Sequence, residues 1–434
     1  MDASEKKKTN KKRMDIRLDK VPAKGTHLAA ISSKSYVHRL IIAASLCEED
    51  VEIVTNIMSA DMEATLRVCE ALSSSKKGIV ADCGESGSTA RFMLPLAALV
   101  SDGATLTGSG RLPERPMGPL CDVLRSAGVN VSSDHLPITV SGKPKAGDYE
   151  IAGNVSSQYI SGLLFMLPLL PGDSTLTIKG GLESAAYVDM TLDVLERFGI
   201  IIKKTAKGFL IPGGQKYTYK QGSSITAEGD WSNAAYIMAA AAVGCRKSFD
   251  SFSVSGLNAA SIQGDRAVVD ILKEFGVKIS HDHGKYTIIG NPQRPVDIDC
   301  SQIPDLVPAL AVIAAYTNGD SVFRNVGRLR MKECDRVEAV SEMLSKTGVM
   351  VYITMDKETG IENMTVCGKG PDSPAGREIA IDSMNDHRIA MAAAAIALAE
   401  DVPVVIKDAM SVNKSYPGFY EDIKKMGITS CHLR

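Results

Sequence analysis

Six times along the chain, a short segment of Ser, Gly, Asn, Asp and other turn residues runs straight into small apolar residues. The six stretches are SSKSYVHRLIIAASL from Ser32, GESGSTARFMLPLAAL from Gly84, NVSSQYISGLLFMLPLL from Asn154, GDWSNAAYIMAAAAVG from Gly229, IPDLVPALAVIAAYTNG from Ile303 and MNDHRIAMAAAAIALAE from Met384. The apolar runs have almost no polar face, so each predicts a helix buried nearly all round. A second pattern recurs between them, with Leu, Val and Ile at i, i+3 and i+4 and then Gly and β-branched residues. TLDVLERFGIII and VSEMLSKTGVMV are examples. They predict amphipathic helices ended by a left-handed glycine. Strand-type runs such as STLTIKG and SVFRNVG complete the unit.

Six such units predict an α/β fold of two similar domains, three units in each. We place the first domain at 26–227 and the second at 14–25 plus 228–434. The stretch before Lys24 reads as a strand that returns to pair in the second domain. Residues 1–13 read as a flexible basic tail without the apolar core of a secretory signal.

Composition narrows the function. Hydrophobic residues are 44% and charged residues 23% of 434, which marks a globular chain, not a disordered one. Net charge is −2, so no overall basic field draws the chain to nucleic acid, and an anionic ligand needs a local cluster. No run approaches the ~18 uninterrupted apolar residues of a membrane span. The nine cysteines form no CxxC pair, which reads as free thiols in a cytoplasmic protein with no metal site. His281-Asp282-His283-Gly284 reads as a hairpin turn before it reads as a metal ligand set.

The chemistry gathers at the helix starts. A helix N-terminus carries free N–H groups and partial positive charge, and six of them around one cleft would hold phosphate or carboxylate. For any one helix, Ser and Asn are also simple caps. Basic residues in or beside the first turn shift the balance toward an anion. Lys34 and Arg39 flank the first helix start beside Ser35, and Arg91 follows the glycine loop 84–89. Arg111 and Arg115 lie in a loop stiffened by Pro113 and Pro116, which suits bidentate contact with an anion. Ser156, Ser157 and Gln158 offer uncharged donors, and Ser184 and Tyr187 open an amphipathic helix. Asp305 precedes an apolar helix, where a carboxylate is either a cap or a general base. Lys332-Glu333-Cys334-Asp335-Arg336 and Asn385-Asp386-His387-Arg388 open two further helices, and Lys414 sits in a stiff loop before Pro417.

Nine of these motifs, in order from Ser33 to Pro417, resemble the enolpyruvyl transferase family, in its EPSP synthase branch. They are SKSxxxR, the glycine loop ending at Arg91, ERP, SSQ, SxxY, IPD, KExDR, NDHR and KSYP. The resemblance implies two domains of three βαβαββ units each, an inside-out α/β arrangement with buried helices. It implies transfer of the enolpyruvyl group of phosphoenolpyruvate to the 5-hydroxyl of shikimate 3-phosphate. Phosphate leaves, and no cofactor or metal takes part. Carried over residue by residue, Lys34 touches both substrates. Ser35, Arg39, Ser156, Ser157, Gln158, Ser184, Tyr187, Asp305 and Lys332 go with shikimate 3-phosphate. Gly87, Arg115, Gln158, Arg336, Arg388 and Lys414 go with phosphoenolpyruvate. Asp305 is the implied base, Glu333 the implied acid, and His387 a member of the proton network. The resemblance implies two small-molecule substrates; the scattered cysteines point to the cytoplasm, and nothing in the sequence suggests an obligate interface, so a monomer is expected.

Glu85 and Ser86 stand where Asn and Ala are common in that family, Ser33 replaces a usual Gly, and Arg328 stands where some members place Asn. The alternatives are a UDP-N-acetylglucosamine enolpyruvyl transferase and a non-catalytic anion-binding repeat protein. Ser35 and Gly110 disfavour the first of these, because its family usually carries Asn and Cys there. The carboxylates Asp305 and Glu333 disfavour the second.

Overall fold

A computed structural model describes residues 14–74, 78–100, 103–245, 247–371 and 376–433. The basic tail assigned to 1–13 lies outside the described residues. The six apolar runs form helices Lys34–Ser45, Gly87–Val100, Ser157–Met166, Trp231–Gly244, Val307–Ala315 and His387–Ala399. Every residue of the last two is buried. Alanine makes this possible, since small side chains let helices approach one another closely inside a ring of sheets.

One unit shows the pattern. Strands Asp148–Ala152 and Ser174–Lys179 pair in parallel, with the buried helix Ser157–Met166 crossing between them. Helix Ala185–Arg197 follows, and the antiparallel pair Lys203–Thr205 and Gly208–Ile211 completes the sheet. Gly199, just past that helix, has φ 75°, the left-handed cap expected from the sequence. Five sheets among the described residues have four strands and the sixth has two. The short one belongs to the first unit, where helix Ala60–Ser73 is followed closely by strand Ile79–Asp82, with no hairpin between them among the described residues.

The returning strand is present. Asp15–Lys20 lies between Val404–Lys407 and Ile428–Leu433, antiparallel to both. One strand that crosses between the two stretches was not expected: His27–Ala29 joins a sheet of the second, while Ser224–Thr226 pairs inside the first. His27–Ala29 pairs with Ser251–Ser255, and Ser224–Thr226 pairs with Glu52–Val54. The chain thus crosses twice at one place. There Ser33 N donates to Glu228 O at 2.8 Å and Asp230 N donates to Ile31 O at 2.7 Å.

Two hydrophobic cores result. One takes residues from Tyr36 to Ala227. The other takes Ile16, Leu18, Leu28 and Ile31 with residues from Trp231 to Ile428. Leu28 and Ile31 therefore pack on the second core, a few residues beyond the 25/26 boundary drawn from the sequence. In the first core, helices Gly87–Val100 and Ser157–Met166 meet at Gly162, where an added Cβ would run into the backbone carbonyl of Arg91. The His281 segment is a hairpin, with Lys278–Asp282 antiparallel to Lys285–Ile289.

Candidate active site

The cavity between the two cores is lined at five of the six buried helix starts. Lys34 and Ser35, Gly87 and Ser88, Ser157 and Gln158, Asp305, and His387 and Arg388 come from five different units. The remaining start is closed by its own cap. Asp230 accepts from Asn233 N at 2.7 Å and from Lys34 N at 2.9 Å, which ties that start to the first buried helix.

Eight cationic side chains line the wall (Lys34, Arg39, Arg91, Arg115, Arg328, Lys332, Arg336 and Arg388) against three carboxylates, Asp61, Asp305 and Glu333. This local excess, in a chain of net charge −2, makes the cavity an anion trap. Several donors are held ready. Arg91 and Arg115 have buried Nε atoms without a hydrogen-bond partner, and neither ring nitrogen of His387 has one. Buried polar groups are nearly always paired, so unpaired donors grouped on one cavity wall mark a place for a polar ligand.

Packing fixes the positions. Gln158 links two helix starts, accepting from Arg91 NH1 and donating to Ser88 Oγ, each at 2.9 Å. Gly87 leaves room for both guanidiniums. A Cβ there would come within 2.5 Å of Arg91 NH1 and 2.8 Å of Arg115 NH1. Arg39 donates to Thr191 Oγ1, Ser35 O and Tyr187 O at 2.7–2.8 Å, so it supports the wall as well as facing it. Ser156 caps its helix by accepting from Gln158 N, whereas Ser184, in the left-handed region with φ 54°, makes no cap bond. Its hydroxyl accepts from Arg328 NH1 across the cleft at 3.2 Å.

Arg336 is the centre of the second wall. It is 1% exposed and reaches three carboxylates. Nε donates to Asp386 at 2.8 Å, NH1 to Asp305 at 2.8 Å and NH2 to Glu333 at 2.6 Å. Asp386 is fully buried and also caps its helix by accepting from Arg388 N. Asp305 further meets Lys332 at 3.4 Å, Arg388 at 3.2 Å and the Tyr187 hydroxyl at 2.9 Å. Glu333 also faces Arg115 across the cleft at 3.7 Å.

Charges follow from these contacts. Burial alone would raise the Asp305 carboxyl, but Arg388, Lys332 and Arg336 hold it well below the usual range. Burial is likewise overcome at Glu333, by Arg336 first and then Arg115. Burial, with Lys34 and Arg388 nearby, keeps His387 well below its ordinary value, so its imidazole is neutral. Burial pushes Arg91 down to about 10, assisted by Arg115. Lys332 is also lowered by burial, with Asp305 partly restoring it.

The structure brings sixteen sequence-assigned residues to this cavity and leaves one aside. Lys414 does not line it. Its Nζ is bound by Glu85 Oε2 and Asn385 O, each at 2.6 Å. Residues not assigned from sequence also matter. Arg91 and Asp386 lay inside motifs already noticed. Asp61, which takes Lys34 Nζ at 3.1 Å, and Asp265, 3.4 Å from the Tyr187 hydroxyl, carried no signal. No group of three or more His, Cys, Asp or Glu suited to a metal occurs among the described residues.

The family model for EPSP synthase (3-phosphoshikimate 1-carboxyvinyltransferase) matches residues 23–423. The chain belongs to the EPSP synthase family. Its similarity to a 3-phosphoshikimate 1-carboxyvinyltransferase of Clostridium kluyveri is 39% identity, covering 91% of this chain and 93% of that one. The corresponding protein of Clostridium novyi is 37% identical with the same coverage. Among solved structures, the EPSP synthase of Acinetobacter baumannii superposes with TM-score 0.75 at 23% identity, covering 96% of this chain and all of the other. The enolpyruvyl transferase NikO from Streptomyces tendae superposes with TM-score 0.74 at 17% identity, covering 97% and 99%. At these identities the structures establish the shared fold, an α/β architecture of two halves. The chain is an enzyme of this family, and the cavity between its two cores is its candidate active site. Among the described residues, no helix is long and apolar enough to cross a membrane.

Proposed function

We propose that the chain transfers the enolpyruvyl group of phosphoenolpyruvate to the 5-hydroxyl of shikimate 3-phosphate and releases phosphate. Family membership supports the reaction. The observation that carries it to these residues is Arg336, which ties Asp305 and Glu333 together in a wall of cations. Two carboxylates that share one buried guanidinium on a cavity wall are placed to exchange protons with a bound substrate.

In the proposed addition, the substrate 5-oxygen bonds to C2 of the enolpyruvyl group. Asp305 takes the hydroxyl proton, and a proton is delivered to the methylene carbon from Glu333. In the elimination, the C2–O bond to phosphate breaks, and the same carbon returns its proton. His387, neutral and unpaired, completes the proton network. Lys34 lies between both substrates, with Ser35, Arg39, Ser156, Ser157, Gln158, Ser184, Tyr187 and Lys332 toward the shikimate side. Gly87, Arg115, Arg336, Arg388 and Lys414 are assigned to the phosphoenolpyruvate side. The cations serve twice. They bring two mutually repelling anions together, and they hold Glu333 ionised until substrate charge offsets them. Its carboxyl then rises toward the range of a proton donor.

We also propose that the two cores act as domains that close over the substrates, joined where the chain crosses near Ser33 and Asp230. We take the chain to work as a monomer. The free thiols suit the cytoplasm. The test is phosphate release from phosphoenolpyruvate with shikimate 3-phosphate or UDP-N-acetylglucosamine as acceptor. Release with the first alone is expected. Release only with the nucleotide sugar would overturn the acceptor, and release with neither would overturn the reaction.

A further inference from the structure

Lys414 is a cation assigned to the phosphoenolpyruvate side, yet a carboxylate of the protein already holds it. Glu85 belongs to the first half, two residues before Gly87. Lys414 and Asn385 belong to the second. Glu85 Oε2 accepts from Lys414 Nζ at 2.6 Å and from Asn385 Nδ2 at 2.7 Å. Glu85 and Lys414 are 18% and 12% exposed, so the pair is substantially shielded from solvent screening. The neighbouring backbone is shaped for it. Met384 and Asn385 both lie in the left-handed region, with φ 51° and 56°, strain that aims the Asn385 amide across the cleft. Gly110 leaves the space Glu85 uses, since a Cβ there would come within 2.7 Å of its carboxyl group.

We propose that Glu85 sets anion affinity and selectivity by acting as an internal competitor. Its carboxylate latches the two halves together through Lys414 and Asn385 and withholds Lys414 from the incoming anion. Phosphoenolpyruvate, with a carboxylate and a phosphate, engages enough other cations to displace Glu85. Inorganic phosphate alone displaces it less readily. This rests on the proposed reaction only for the identity of the substrate.

The experiment compares the wild type, Glu85→Gln, Lys414→Gln and the double variant, all as full chains. Glu85→Gln keeps the shape and removes the charge. It is expected to lower KM for phosphoenolpyruvate by about fivefold, the upper scale of one partly exposed ion pair, with kcat changed less. The Kd for inorganic phosphate, read from the rise in Tm with phosphate concentration, should fall by at least as much. In the Lys414→Gln background the same substitution should have no such effect, because the coupling runs through that lysine. An unchanged or raised KM and Kd in a folded Glu85→Gln protein would overturn the proposal. So would an equal gain without Lys414. The phosphate titration needs no turnover, so failure of the proposed reaction would be seen separately, as wild-type protein that binds phosphate but releases none from phosphoenolpyruvate.

Discussion

Replacing Glu333 by Gln tests the centre of the mechanism. The two side chains have nearly the same shape, and Glu333 lies at the cavity wall with its side chain 24% exposed, so the fold should tolerate the change. What is lost is the charge beside Arg336 at 2.6 Å and Arg115 at 3.7 Å, and the ability to exchange a proton. A positioned acid–base group contributes about 10²–10⁴ in rate, or roughly 3–5.5 kcal/mol of barrier. Turnover of phosphate should therefore fall at least about 100-fold. Binding should move little and in the opposite sense. Arg336 keeps Asp305 and Asp386, while Arg115 loses a competitor for the substrate anion. KM for phosphoenolpyruvate is expected to stay level or fall. The pH profile adds a second signature. In the free enzyme Glu333 is ionised at neutral pH, so kcat/KM shows no limb from it there. In the complex its carboxyl rises, and kcat falls as pH climbs through that raised value. The variant should lose this limb. Steady-state phosphate release across pH, with calorimetric binding of each substrate, measures all of this. A variant within about threefold of wild-type turnover would remove Glu333 from the proton steps. A fall in rate matched by an equal rise in KM would make it a binding residue instead.

Gly87→Ala should push the Arg91 and Arg115 guanidiniums aside and raise KM for phosphoenolpyruvate about tenfold or more with a smaller change in kcat, as steady-state kinetics would show. Gly162→Ala should lower Tm by several degrees through overpacking of about 1–3 kcal/mol between two core helices, and an unchanged melting curve would refute that close approach. Asp265 is pushed from 3.8 up to about 6, by burial first and then by Asp305. The raised value gives stability that is full below about pH 4 and lost as pH rises through about 6. Asp265→Asn should therefore gain on the wild type between pH 4 and pH 8, by at most about 3 kcal/mol in urea unfolding. A constant difference would show that Asp265 titrates normally.

The buried helices and the returning strand were legible because their signals are local. An alanine-rich run without a polar face has nowhere to go but the interior, and a polar segment before it marks the start. The pairing of His27–Ala29 with Ser251–Ser255, and of Ser224–Thr226 with Glu52–Val54, was not legible. Three-residue strands have no period to read, and their partners are set by how the two cores meet. The same limit applies to charge. Motifs named Arg336, Asp305 and Glu333, but not that one guanidinium binds both carboxylates and Asp386 as well. Nor could they show Lys414 held by Glu85, because that contact joins two loops far apart in sequence. Asp61 and Asp265 are single acidic residues in ordinary helical or turn sequence, and only folding gives them basic or hydroxyl neighbours.

The strand Asp15–Lys20 bears on the order in which this molecule is made. Lys20 pairs with Ile428 and Asp15 with Leu433, so the beginning of the chain waits for nearly its end. The first core draws on one continuous stretch and can condense while synthesis continues. The second core cannot close until the last strand has been translated. Until then Asp15–Lys20 lacks its Ile428–Leu433 neighbour, and the half-built sheet depends on its helices or on chaperones to keep that edge covered.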